Sequence, residues 1–249
     1  MPVRTLALAA LLGTAALPAA ALDLSAMTDE ERAAFGAEVR AYLLENPEVL
    51  TEAIAVLDQR ETQRQVQADR ALVAENLEAI ANDGRSWVGG NLDGDITVVE
   101  FMDYRCGYCR RAFQEVEDLV DGDGNIRFVL KEFPILGQQS ELASRFAISV
   151  LQLLGDDAYK DVHDALMVLE SDIDEGSLTR LAEGLALDPA PILERMDAPE
   201  VTAVIDANRQ LAQALGISGT PTFVMGGQMV RGYVPLQTMQ AIVGDEREG

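Results

Sequence analysis

This sequence is short of several residue types. It has two cysteines, one histidine and one tryptophan among 249 residues, and 19 basic residues stand against 42 acidic ones. Beyond Cys106 and Cys109 a zinc site would need two more ligands, and the chain offers one histidine, His163, and no further cysteine, which argues against a zinc site within one chain. A metal held between subunits is left open. His163 is best read as a surface or internally satisfied residue. The shortage of bases excludes a surface built for nucleic acid or for anionic membranes. The acids are spread along the chain and read as a solvated surface that favours solubility and basic or unfolded clients. After the first 21 residues no run is long and apolar enough to span a bilayer. Internal repeats and low-complexity tracts are likewise lacking beyond that point.

The first residues carry one positive charge, Arg4, then Leu6-Ala7-Leu8-Ala9-Ala10-Leu11-Leu12, then Ala19-Ala20-Ala21. This is the pattern of a cleaved secretory signal peptide, with cleavage after Ala21. Removing Arg4 with the leader takes the 19 bases to 18 and leaves the 42 acids unchanged. Export to an oxidising compartment, the periplasm, lets a disulfide persist.

The two cysteines form Cys106-Gly107-Tyr108-Cys109. The β-branched run Ile96-Thr97-Val98-Val99-Glu100-Phe101 precedes them, and a helical run from Arg110 to about Leu119 follows. The pair therefore sits where a buried strand meets a helix N-terminus. Unpaired N–H groups and the helix dipole lower a thiol pKa there and make its thiolate a nucleophile. Residues three apart share a helix face, so Cys109 can close a disulfide onto Cys106. A bridge this short closes too small a loop to add much stability. The chemistry it fits is thiol–disulfide exchange.

Upstream, Thr28 and Glu31 form a capping box that opens a helix with Phe35, Val39, Tyr42 and Leu43 in a stripe. Asn46-Pro47 breaks it. A second helix is expected from Pro47 to about Asn82, with apolar patches at Leu50, Ile54, Leu57 and at Val73, Leu77, Ile80. The polar residues 58–65 between them form a waist where the helix bends or frays. Apolar ends without an evident partner point to packing between copies of this helix. Trp87–Asp95 reads as a glycine-rich link, with Trp87 plugging a groove on the next domain. Asp121–Asn125 lacks the distal glutamate of a calcium loop and reads as a turn. Strands at Ile96–Met102 and Ile126–Phe133 around the helix make a βαβ unit. Helices are expected over Glu141–Leu154, Ala158–Leu169, Leu178–Leu185, Pro191–Met196 and Val201–Leu215. Strands at Gly219–Met225 and Gln228–Gly232 then flank a Gly226-Gly227 turn, followed by a helix from Pro235 to Val243.

The C-x-x-C at a strand-to-helix junction, the helical insert and Gly219-Thr220-Pro221-Thr222-Phe223 before a hairpin together resemble the DsbA-like family over roughly residues 94–243. The resemblance implies an α/β (α+β) thioredoxin fold with a helical insertion, preceded by an extended N-terminal helical arm. The corresponding division is a leader at 1–21, an arm and linker at 22–93 and a catalytic domain at 94–249, with the insertion at about 136–216. It also implies a cis peptide bond before Pro221, beside the sulfurs. Phe101–Cys109 and Tyr42–Leu50 further resemble the suppressor-of-copper-sensitivity C proteins, exported members with a helical arm that makes some of them trimeric disulfide isomerases. Gly107-Tyr108 and Thr220 resemble the isomerase DsbC, whereas the oxidant DsbA has Pro-His in its motif.

On this resemblance Cys106 is the nucleophile and Cys109 the resolving thiol. Gly107, Tyr108, Thr220 and Pro221 line the client site, and Glu100 is a buried proton carrier; Lys131, on the neighbouring strand, is placed to pair with it. No cofactor is implied beyond the Cys106–Cys109 disulfide, although both thiolates are suited to Cu(I). The implied partners are unfolded or misoxidised exported proteins, a membrane redox partner and further copies of the chain through residues 22–82, a trimer being favoured. The rival readings are a periplasmic copper(I) chaperone and a monomeric dithiol oxidase.

Overall fold

The computed structural model describes residues 26–248. The leader expected over residues 1–21 lies outside them. The chain divides into two compact units that meet between Gln59 and Arg60.

In the first unit, α1 (Asp29–Glu45) starts at the expected capping box: Thr28 accepts from the Glu31 N–H, and the Thr28 N–H donates to the Glu31 carboxylate at 2.8 Å. The stripe of Phe35, Val39 and Tyr42 is exposed. Helix α2 (Glu48–Glu75) begins after Pro47, and its Leu50, Ile54 and Leu57 are exposed as well.

In the second unit the helix expected to reach Asn82 is interrupted. α2 ends at Glu75, Asn76 turns its side chain back onto the Leu72 carbonyl, and a short α3 (Leu77–Ala81) follows. Asparagine competes in this way for backbone partners and is a poor helix-interior residue. Val73 and Ile80 are buried beneath the sheet with Val99, Phe101, Val129, Leu211, Leu215 and Val224. They are therefore core residues of this unit, and the stretch from Arg60 to Asp93 belongs with it rather than with the arm. The expected link at Trp87 is also part of the sheet, as strand β1 (Trp87–Gly90).

The sheet has the order β1-β3-β2-β4-β5, with β2 (Ile96–Met102) parallel to β3 (Ile126–Glu132) and the other neighbours antiparallel. β2 and β3 are covered on both faces, as near-continuous apolar strands require. Helix α4 (Gly107–Asp123) crosses between them. It runs through most of the expected turn at 121–125 and stops where Gly124 takes the left-handed conformation, φ 70°, which costs glycine nothing.

The insertion holds α5 (Gln138–Leu154), α6 (Asp156–Val168), α7 (Glu175–Gly184), α8 (Pro189–Arg195) and α9 (Pro199–Ala214). Prolines open α8 and α9, where a missing N–H does no harm. β4 (Thr222–Met225), β5 (Gln228–Arg231) and α10 (Leu236–Glu248) complete the chain. Trp87 is inside the core rather than plugging its surface: it stacks on Tyr159, meets Phe128 edge-on and donates to the Asp156 carbonyl at 3.1 Å.

Candidate active site

Alternation along β2 decides what lies beneath the cysteines. Val98 and Met102 pack in the same core cluster as Cys109 and α4, while Val99 and Phe101 face the cluster around α3. Glu100 therefore points toward the cysteines. After β2, Asp103 fixes the approach to the motif. It is buried, and its carboxylate accepts from the N–H groups of Arg105 (2.8 Å), Ile135 (2.8 Å) and Leu136 (3.1 Å). Cys106 becomes the N-cap of α4, with Gly107 as its first residue.

Both cysteines are thiols with little exposure. The Cys106 thiol is pulled down to about 5, first by the Cys109 thiol donating to it, and also by the Thr220 hydroxyl and the backbone N–H groups of Cys109 and Tyr108. The Cys109 thiol is pushed far upward by burial, by its bond to Cys106 and by the nearby Glu100. One thiol is thus poised as a thiolate while its partner holds its proton. In thiol form Cys106 Sγ lies 3.1 Å from the Thr220 carbonyl oxygen. The Thr220–Pro221 peptide is cis, and the Pro221 carbonyl accepts from the Gly232 N–H at 2.9 Å. Gly107 and Tyr108 are exposed beside these atoms.

Glu100 is 3% exposed, and among the described residues its Oε1 has no hydrogen-bond partner. Burial, then the charges of Cys106 and Glu117, raise its carboxyl to about 8. The expected Glu100–Lys131 pairing is not made. Lys131 lies opposite Phe101 in the parallel ladder, so it points to the other face of the sheet. There its Nζ bonds Asp83 at 2.7 Å and the Ala79 carbonyl at 2.9 Å.

His163 is satisfied but not at the surface. It is buried, 3.2 Å from the Tyr104 hydroxyl and stacked on Tyr159. Burial first, and then the charge of Lys160, push it down to about 3, so it stays neutral.

Sequence reasoning missed the group that His163 joins. Buried Glu132 accepts from Tyr104 (2.8 Å), Tyr159 (2.7 Å) and Ser144 (2.7 Å), and burial raises its carboxyl to about 7. This group ties the approach to Cys106 to the helical insertion. It also missed Tyr233, which stacks with Tyr108 at 6.5 Å and lies beneath the Arg111 guanidinium. The residues of both groups lie too far apart in sequence for spacing to reveal them. No cluster of three or more metal-ligating side chains exists among the described residues.

A reduced dithiol at a helix N-terminus, next to a cis-proline loop on a five-stranded sheet, defines a thioredoxin-type thiol–disulfide site. Comparison with known proteins agrees. Residues 97–244 match the DSBA-like thioredoxin domain, and residues 31–64 match the copper resistance protein ScsC N-terminal domain. A thioredoxin-like oxidoreductase from Silicibacter pomeroyi is 42% identical, with 69% of this chain and 98% of that one aligned at a TM-score of 0.65. Salmonella enterica Typhimurium BcfH is 27% identical over 88% of this chain and 96% of that one, at 0.73. Proteus mirabilis ScsC is 26% identical over 88% and 98%, at 0.66.

The chain belongs to the DSBA-like thioredoxin domain family, and within it to the DsbA/ScsC-like thiol–disulfide oxidoreductases. Curated relatives include a Na(+)/H(+) antiporter of Salinispora tropica, 27% identical over 165 residues, or 64% of this chain. The chain spans about a quarter of the length of that relative. No helix among the described residues is long and apolar enough to cross a membrane.

Proposed function

We propose that this oxidoreductase is an exported, oligomeric disulfide isomerase or reductase. The Cys106 thiolate attacks a client disulfide; the client S–S bond breaks, a mixed disulfide forms and the second client sulfur leaves as a thiolate. In the isomerase branch a client thiolate displaces Cys106, which leaves as the thiolate again. In the reductase branch Cys109 attacks Cys106, the client departs reduced and the Cys106–Cys109 disulfide remains. In the mixed disulfide the Cys106 thiolate charge that helps to raise the Glu100 carboxyl is gone, so Glu100 ionises more readily and its carboxylate takes the Cys109 proton in that step. Gly107, Tyr108, Thr220 and Pro221 receive the client backbone. A membrane redox partner restores the dithiol in the periplasm, and misoxidised exported proteins are the clients.

The observation that carries the oligomer is the exposure of both apolar stripes. Phe35, Val39 and Tyr42, and then Leu50, Ile54 and Leu57, recur at the three-and-four spacing of a helix–helix seam. A trimer is the favoured assembly. Because Val73 and Ile80 are internal to the second unit, the seam is assigned to residues 35–57 rather than to all of 22–82.

Light scattering of the mature protein beside an Ile54→Asp/Leu57→Asp variant tests this reading. The native mass is expected to be a multiple of the chain and the variant mass a single chain. Recovery of scrambled ribonuclease should fall with the mass while insulin reduction persists. A monomeric native protein, or isomerase activity that survives in the monomeric variant, would overturn the oligomeric mechanism.

The low Cys106 thiol also favours a second role, as a copper(I) chaperone. Two sulfurs one turn apart at a helix end, beside the exposed Gly107 and Tyr108, suit a soft monovalent ion. Copper(I) competition titration should then give one ion per reduced site and none in Cys106→Ser.

A further inference from the structure

We propose that the rim of the cysteine site selects client cysteines flanked by acidic side chains, through Arg105, Arg110 and Arg111. The proposal rests on the thiol–disulfide activity and names the class of client that the site prefers.

The chain carries more than twice as many acids as bases, yet three arginines fall within seven positions around Cys106. Elsewhere in the second unit, basic side chains are mostly neutralised by contact. Arg70 pairs with Glu246, Lys131 with Asp83, Arg145 and Arg209 with Glu141, Lys160 with Glu117 and Asp164, Arg195 with Glu200, Arg231 with Asp69, and Arg247 with Asp95 and Asp123. None of the three rim arginines makes an ion pair within 4.0 Å among the described residues. They are held instead by neutral partners. Arg110 donates to the carbonyls of Tyr104 (2.8 Å) and Leu169 (2.6 Å), and Arg105 to the carbonyl of Ser171 (3.3 Å). Arg111 rests over the Tyr233 ring, 4.6 Å from its centroid. Such contacts fix the guanidinium groups without an ion pair.

The acids nearby are otherwise engaged. Asp103 is buried on three backbone N–H groups. Glu115 accepts from the Tyr233 hydroxyl at 2.6 Å and from the Leu236 N–H, and Glu117 pairs with Lys160. Glu100 is buried and mostly protonated at neutral pH. Exposed Glu170 offsets part of the Arg110 charge, and Glu115 part of that of Arg111. Three guanidinium groups outside any ion pair thus stand beside the α4 N-terminus, whose dipole has the same sign. Beside it, Tyr108 is 61% exposed and stacked on Tyr233, a firm floor for the client chain next to Thr220. A client aspartate or glutamate near its cysteine gains attraction on approach and a charge-assisted hydrogen bond on arrival.

The test uses the full mature protein and three short peptides. Each carries one cysteine in mixed disulfide with neutral β-mercaptoethanol, flanked on both sides by aspartate, asparagine or lysine. Reduction rates are divided by those with dithiothreitol, which removes the intrinsic reactivity of each peptide. At about 20 mM salt the normalised rate is expected to fall from aspartate to asparagine to lysine, with extremes on the order of tenfold apart. At about 0.5 M salt the ratio should approach one. It should also shrink in Arg105→Gln/Arg111→Gln, where all three peptides meet the same altered thiolate, so any change in the Cys106 pKa cancels. Equal normalised rates for the three peptides at low salt, or faster reduction of the lysine peptide, would overturn the inference and leave the oxidoreductase activity standing. Failure to reduce any of the peptides would overturn that activity for this site and the inference with it.

Discussion

Replacing Glu100 by glutamine keeps the side-chain volume and removes the ionisable group. In the folded protein the carboxyl titrates near 8, against 4.5 for its ordinary value. Between those two pH values the folded chain holds a proton that the unfolded chain has lost, so stability falls as pH rises. Each pH unit in that window costs about 1.4 kcal/mol, and from 4.5 to 7 the cost reaches roughly 3 kcal/mol. Glutamine escapes this cost but must still bury an amide. The expected result is that Glu100→Gln gains on the native protein steadily from pH 5 to pH 8 and stops gaining above it. Urea unfolding of both proteins, kept reduced at pH 5, 6, 7 and 8, reads the difference. Glu132 also titrates in this range, but it is present in both proteins and cancels. Oxidation should shrink the gain, because the Cys106 thiolate contributes to the Glu100 shift. Two stability curves running parallel across this range would refute the account of a buried, unpartnered carboxyl.

The remaining predictions concern Cys106 and Lys131. Ultraviolet titration of the thiolate in reduced protein should give a midpoint of about 5, absent in Cys106→Ser. Because that pKa is depressed, its contribution to the stability of the reduced protein is present in full above pH 9 and lost as pH falls through about 5; a midpoint near 9 would contradict the helix-terminus argument. Lys131→Met strands Asp83, whose side chain is 7% exposed, and should cost about 3–5 kcal/mol in urea unfolding. Adding Asp83→Asn should recover most of that loss, and a single-variant cost below about 1 kcal/mol would argue against a buried pair.

Much of the architecture was legible because it is local. β-branched runs marked β2 and β3, Thr28 with Glu31 marked the start of α1, and the Gly226-Gly227 turn marked the hairpin. Periodicity located the five helices of the insertion. The errors arose where a short signal competed with a long-range one. The apolar residues Val73 and Ile80 read as an arm because their partners on the sheet lie far along the chain. Trp87-Val88-Gly89-Gly90 read as a link because an edge strand of four residues with two glycines has little strand character of its own. Helix α2 was carried too far because Asn76 breaks it through its own side chain rather than through a proline or glycine.

The cysteine pair, its place at a helix N-terminus and its redox chemistry follow from the sequence by itself, because motif, strand and helix are contiguous. The tertiary structure alone decided the partners of the charged residues beneath the pair. Strand register sends Glu100 toward the sulfurs and Lys131 to the opposite face, where the turn after α3 brings Asp83. Packing of the insertion assembles Tyr104, Glu132, Ser144, Tyr159 and His163 behind the motif. Such contacts join residues tens of positions apart, and a buried ionisable group takes its pKa from whatever surrounds it in space, which the order of residues along the chain does not specify.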